Sequence, residues 1–127
     1  MKPLLRLSAW MLSIVLTLLF LWIGWSKFSG SSAQHWQERF AHWGYPKSSQ
    51  YLIGAIEMLA GAGLVIPRTR RVAASVIMAL MLGAAATHLI HSEFPRLIPP
   101  VVIGSASLLL YIGDNKGRDG KPKSSLG

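Results

Sequence analysis

The chain has 127 residues, enough for one domain and too few for two. With 51% hydrophobic residues, 14% charged residues and a mean hydropathy of +0.39, it lacks the polar surface that a water-soluble domain of this size needs. The net charge of +8 sits in short basic groups beside long apolar runs, which excludes a basic face for nucleic acid and fits a bilayer. The absence of cysteine excludes disulfides, thiolate metal sites and dithiol redox chemistry.

A spanning helix needs about 20 apolar residues, with a lower limit near 17. Residues 7–25 meet this without a charge. Lys2 and Arg6 precede the run as in a signal peptide, but its apolar core is too long for one and it carries Trp22 and Trp25, so a retained helix is predicted.

Residues 31–44 follow, reading SSAQHWQERFAHWG. Ala33, Trp36, Phe40 and Trp43 recur at helical spacing, Ser31 with Gln34 has the spacing of a capping box, and Gly44 before Tyr45-Pro46 is a stop signal. A short interfacial amphipathic helix over about 32–43 is predicted, either a headgroup-level anchor or a lid over a cavity between the spans.

The second span is predicted at 51–66, containing Glu57, and the third at 72–90, interrupted only by His88. Gly54 and Gly61 share one side of the second, and Ala79 with Gly83 form a small-xxx-small pair on the third, both suited to close helix approach. The fourth, 97–113, has Pro99 and Pro100 in its first turn, where a missing N–H costs no intrahelical bond. Residues 114–127, rich in Gly, Lys and Ser, read as a disordered basic cytoplasmic tail. The fold class is therefore all-α, an integral membrane four-helix bundle with that interfacial helix in its first outer loop.

Nine of the Lys and Arg residues fall at the N-terminus, the 67–71 turn and the tail, against four in the other two loops. This bias predicts a multi-pass membrane protein with both termini cytoplasmic.

A carboxylate within a span costs several kcal/mol unless it is paired, protonated or hydrated. Glu57 lies six residues into the second predicted span, about 9 Å down at 1.5 Å per residue. Trp25 and Lys27 close the first helix on the same side, and His88, His91 and Glu93 come at the outer end of the third. Lys27, Glu57, His88, His91 and Glu93 are thus expected to converge in the outer half. Glu57 and His88 are the catalytic candidates, and Trp25 and Lys27 join Glu57, His88, His91 and Glu93 as candidates for ligand binding.

Such a cluster could hold the head of a lipophilic molecule such as a quinone, could bind a metal through Glu57, His88 and His91, or could relay protons to a partner subunit. A metal is not the preferred reading, since no fourth ligand is evident. Against all three stands simple packing, in which a buried Glu–Lys or Glu–His pair only fixes how helices meet. The preferred function is binding of a lipophile, with a quinone as the possible cofactor, in a subunit of a redox complex. The alternatives are a membrane enzyme of isomerase or cyclase type using acid–base chemistry, and a structural assembly factor. The partners expected are the lipid bilayer, a lipophilic small molecule, and a membrane protein or a second copy.

Four motifs in order carry a resemblance: GWSKF at 24–28, HWGYP at 42–46, IGAIEMLAGAGLVIPRTRRVA at 53–73, and HLIHSEFP at 88–95. Over roughly residues 12–112 the chain resembles the DoxX family, particularly its DoxX-like branch. The resemblance implies a four-helix inner-membrane protein. Members include the small subunit of a thiosulfate:quinone oxidoreductase and an accessory protein of methylamine utilisation. The family pattern singles out Lys27, Gly44, Pro46, Glu57, Pro67 and His88.

Overall fold

A computed structural model describes residues 2–119 of the chain. Among them are five α-helices and no strand: α1 (Lys2–Ser26), α2 (Gly30–His42), α3 (Ser49–Leu64), α4 (Arg70–Ile90) and α5 (Ile98–Asp119), with a 3-10 turn (Phe94–Leu97) leading into α5. Pro99 and Pro100 fall in the first turn of α5, as their missing N–H groups require. That helix continues past Gly113, the end that the sequence predicts, to Asp119. The remainder of the predicted tail, 120–127, lies outside the described residues.

α1 packs on α3, α3 on α4, α4 on α5, and α5 also meets α1, while α2 lies against α1 and α3. Connections are short, so consecutive long helices alternate in direction. One end of the molecule holds Lys27, Gln50 and His91, and the other holds Trp10, Arg70 and Tyr111.

Three helical segments are long and apolar enough to cross a membrane: Pro3–Ser26, Arg70–Ile90 and Phe94–Gly113. α3 has 16 residues and falls short of that length. Leu4, Leu18, Trp22, Leu59, Leu82 and Leu109 are among many large apolar side chains left exposed, an exterior that lipid covers and water does not.

The buried apolar core comprises Leu16 and Phe20 of α1, Ala60 and Leu64 of α3, Ala73, Ala74 and Ile77 of α4, and Leu110 of α5. The α1–α3 contact is close because glycines line it. A Cβ at Gly24 would stand 2.7 Å from the Gly54 carbonyl oxygen, and one at Gly61 would stand 2.9 Å from Phe20 Cβ. Thr17 Oγ1 donates across this seam to the Gly61 carbonyl at 2.7 Å. The Gly54–Gly61 face thus makes the close approach read from its spacing.

The Ala79–Gly83 pair does not. Both residues are exposed, and a Cβ at Gly83 would meet nothing within 4 Å. Ala73, Ala74 and Ile77 form the packed face of α4, because they are the residues turned toward α3 and α5. The capping box at Ser31 and Gln34 is also not formed. α2 starts two residues earlier, with Ser29 as N-cap and no side-chain cap bond, and the nearby hydroxyl of Ser32 donates to the Ser26 and Ser29 carbonyls instead.

Candidate functional site

Polar chemistry gathers at the Lys27 end, as the sequence predicts, but in two groups. The first is built where α1 stops. Ser26 ends the helix, the Lys27 N–H bonds back to the Gly24 carbonyl at 3.2 Å, and a cation here faces the negative end of α1. Its ammonium reaches Glu57 Oε1 at 2.7 Å, with the two side chains 3% and 6% exposed. Because α3 begins at Ser49, Glu57 is eight residues in, about 12 Å along the axis and deeper than the 51–66 reading implies.

Gly54, one turn before Glu57, has no Cβ to collide with Lys27 Cβ, which would lie at 3.2 Å. Trp36 of α2 covers the pair from above, with Lys27 Nζ 3.9 Å from its ring centroid and its indole N–H donated to Ser26 Oγ at 3.0 Å. Gln50, buried, donates to the carbonyls of Lys27 at 2.9 Å and Ala33 at 3.0 Å, stitching α1, α2 and α3 around the charge pair.

The second group joins α2 to the end of α4. Glu93 is its hub. His88 Nδ1–H donates to Glu93 Oε1 at 2.9 Å, Trp43 Nε1–H donates to the same oxygen at 3.0 Å, and Arg96 Nη1 donates to Oε2 at 3.2 Å. A carboxylate only accepts, so neutral His88 carries its proton on Nδ1 and leaves Nε2 as an acceptor. The hydrogen bond from His88 holds the Glu93 carboxyl below its usual range; partial loss of water opposes this, and Trp43 and Arg96 reinforce it.

The Tyr45 and Thr87 hydroxyls are hydrogen-bonded, and Thr87 Oγ1 also donates to the Gly83 carbonyl at 2.9 Å. His91 donates Nδ1–H to the Thr87 carbonyl at 2.9 Å and lies against His42, ring centroids 5.8 Å apart.

The six site candidates therefore separate. Lys27 meets Glu57, and His88 meets Glu93. His91 joins neither pair directly, and Trp25 is 59% exposed beside Phe28. No ion pair or hydrogen bond links Glu57 with His88. Between the groups lies Phe40 of α2, buried, with its ring centroid 6.2 Å from Trp36 and 5.5 Å from Trp43. Among the described residues no group of three or more His, Asp or Glu side chains is placed to hold a metal ion. Gln50, Tyr45 and Thr87 were not legible as members of the site, since isolated polar residues carry no spacing signal.

Two hollows lie elsewhere than at Glu57. One, of about 320 Å³, opens between α2 and the turn that leads into α5, lined by His35, Glu38, Arg39, His42, Trp43, Glu93 and Arg96. The other, of about 290 Å³, is an apolar groove between α4 and α5 bordered by Met81, Leu82, Pro100 and Gly104. As it stands the Lys27–Glu57 pair is closed, and what it can offer chemically is a donor, an acceptor and a proton held out of water under α2.

An apolar exterior, three helices long enough to cross a bilayer and an ion pair sealed inside define a small helical membrane protein. The chain belongs to the DoxX-like family, whose model matches residues 11–110. No curated protein and no solved structure matches it.

Proposed function

We propose that this is a bacterial inner-membrane protein that binds the polar head of a lipophilic molecule, a quinone by chemical class, at the Lys27–Glu57 pair. In this reading four helices cross the bilayer as a bundle, with both termini cytoplasmic and α2 lying on the outer surface as a lid. α3 spans about 24 Å at 1.5 Å per residue, and the bilayer thins beside it to match.

The observation that carries the reading is the burial of both members of an ion pair within a molecule whose exterior suits lipid. A paired charge in such surroundings is expensive to install, and apolar packing would serve cohesion as well or better. The Lys27 ammonium suits a quinone carbonyl oxygen as a hydrogen-bond donor, and Glu57 suits the exchange of a proton with it. Electrons for any reduction would come from a partner subunit.

Access requires α2 to lift. Gly30 and Gly44, at φ 61° and 83°, flank the helix in a backbone region that other residues rarely adopt, and both stand in open space. Trp43, through Glu93 and His88, fastens the far end of α2 to α4. His88 thus acts on the site through the lid.

A second reading, an assembly factor for a membrane complex, is favoured by a separate observation. The hollow lined by His35, Glu38, Arg39 and His42 offers mixed charge to a protein partner on the outer surface.

The test is to purify the chain in mild detergent and analyse its solvent extract by mass spectrometry, beside the Glu57→Gln variant. A stoichiometric quinone or isoprenoid lipid lost in the variant supports binding at the pair. Bulk phospholipid alone would overturn it and turn attention to the partner surface. Turnover of a lipophile by the isolated protein, with a bell-shaped pH profile, would point instead to acid–base catalysis.

A further inference from the structure

At the Arg70 end, charge is placed against the field of a helix. Arg68, Arg70 and Arg71 stand at the start of α4, a helix of 21 residues with no acidic residue in its first turn. A helix N-terminus carries roughly half a positive charge and unpaired N–H groups, so it disfavours cations and accepts anions.

Arg70 is only 7% exposed. Its Nε–H donates to the Leu64 carbonyl at 2.8 Å, and its guanidinium carbon lies 4.5 Å over the ring of Trp10 on α1. Its Nη2, although buried, has no hydrogen-bond partner. Arg71 repeats the pattern against α5. Its Nη2 donates to the Tyr111 hydroxyl at 3.2 Å, its guanidinium lies 5.0 Å over that ring, and its Nε is buried without a partner. The guanidiniums of these two consecutive residues thus each keep one buried donor without a partner among the described residues.

We propose that these two arginines and the first turn of α4 bind a phosphate group, supplied by an acidic membrane lipid. The phosphate oxygens accept from Arg70 Nη2, from Arg71 Nε and from the free N–H groups of the turn, and guanidinium geometry suits them. Trp10, 40% exposed, covers the Arg70 guanidinium and moves aside as the headgroup enters. The acyl chains then lie along the exposed apolar flank of α1, at Leu7 and Ile14. Basic pockets between spanning helices bind acidic headgroups in this manner. The site stands at the opposite end from Lys27 and Glu57 and owes nothing to their role.

The same chemistry would serve free phosphate, and the test separates the two sources. The full chain in mild detergent is titrated with dioctanoyl-phosphatidylglycerol, with dioctanoylglycerol (the same tails without phosphate) and with sodium phosphate. Bound molecules are counted by native mass spectrometry. One phosphatidylglycerol per chain is expected, about tenfold tighter than dioctanoylglycerol, with about tenfold loss in Arg71→Gln. Arg70→Lys, which keeps the charge over Trp10 but removes the spare N–H, should weaken binding similarly while leaving the unfolding temperature near that of the parent. Displacement of the lipid by equimolar phosphate would support the site and name free phosphate as its source; persistence of the lipid would name the membrane. Equal binding of both lipids, or undiminished phosphatidylglycerol binding in both folded variants, would overturn the proposal.

Discussion

Glu57 and Lys27 show how residues can be read at the right end of the molecule and only partly in company. Counting residues along a helix gives height at about 1.5 Å each, which placed Lys27, Glu57, His88, His91 and Glu93 at one end. Height does not give azimuth. Glu57 of α3 turns to α1 and His88 of α4 turns to Glu93, so two pairs form where a single cluster is expected. Removing either member of the buried pair leaves the other uncompensated. Glu57→Gln or Lys27→Met alone should each lower stability by about 3–5 kcal/mol, whereas Lys27→Met with Glu57→Leu should come within about 1–2 kcal/mol of the parent. Thermal unfolding in detergent measures both. A double variant that is stable but has lost its lipophile would separate binding from packing.

Glu93 makes a pH prediction with a definite sign. Its carboxyl titrates lower in the folded chain than in the unfolded one, chiefly through the His88 hydrogen bond. Its contribution is therefore fully present above the ordinary carboxylate value of about 4.3 and fades as pH falls through the lowered folded value. Unfolding temperatures of the parent and Glu93→Gln should differ above pH 5 and converge as the medium becomes more acidic. A constant difference down to strongly acid pH would show that Glu93 acts by shape alone.

Among the elements, the long helices were legible because a bilayer demands runs of apolar residues that no soluble segment matches. The faces were less so. Gly54, Gly61, Ala79 and Gly83 look alike in sequence, yet the first two lie in the α1–α3 seam and the last two face outward. A small residue permits close approach without requiring it, and only the position of the neighbouring helix decides. Gly24→Ala should therefore cost about 1–3 kcal/mol, since its Cβ would meet the backbone oxygen of Gly54 at 2.7 Å. Gly83→Ala, with open space around it, should be neutral or stabilise by up to about 1 kcal/mol through helix propensity. Reversed signs in chemical unfolding would mean that the α4 face is covered in the membrane. The stripe on α2 was legible from its period, and its target was not. Trp36 and Trp43 each cover one polar group, a pairing that depends on where α1 and α4 end.

For the whole molecule the number of crossings turns on α3, the shortest of the four long helices. The basic residues of the 67–71 turn and the short α3 give a direct measurement, because a chain without cysteine accepts single labels cleanly. Lys47→Cys and Arg68→Cys bracket α3. In intact spheroplasts a membrane-impermeant maleimide should label the first and spare the second until the cells are lysed. Equal labelling of both from outside would mean that α3 does not cross, and the four-span topology would fall. A basic bias among short loops predicts the first outcome.

The fastening of α2 through Trp43 and Glu93 carries a consequence for affinity. When only the lifted conformer can admit a ligand, the measured dissociation constant equals the intrinsic one divided by the fraction of molecules that are open. Every contact that holds α2 down then weakens binding as it steadies the protein. Trp43→Phe, which keeps the ring and loses the N–H, should make a short-chain ubiquinone analogue bind more tightly, by about tenfold for each 1.4 kcal/mol taken from the closed state. Weaker binding in that variant would mean that Trp43 touches the ligand itself.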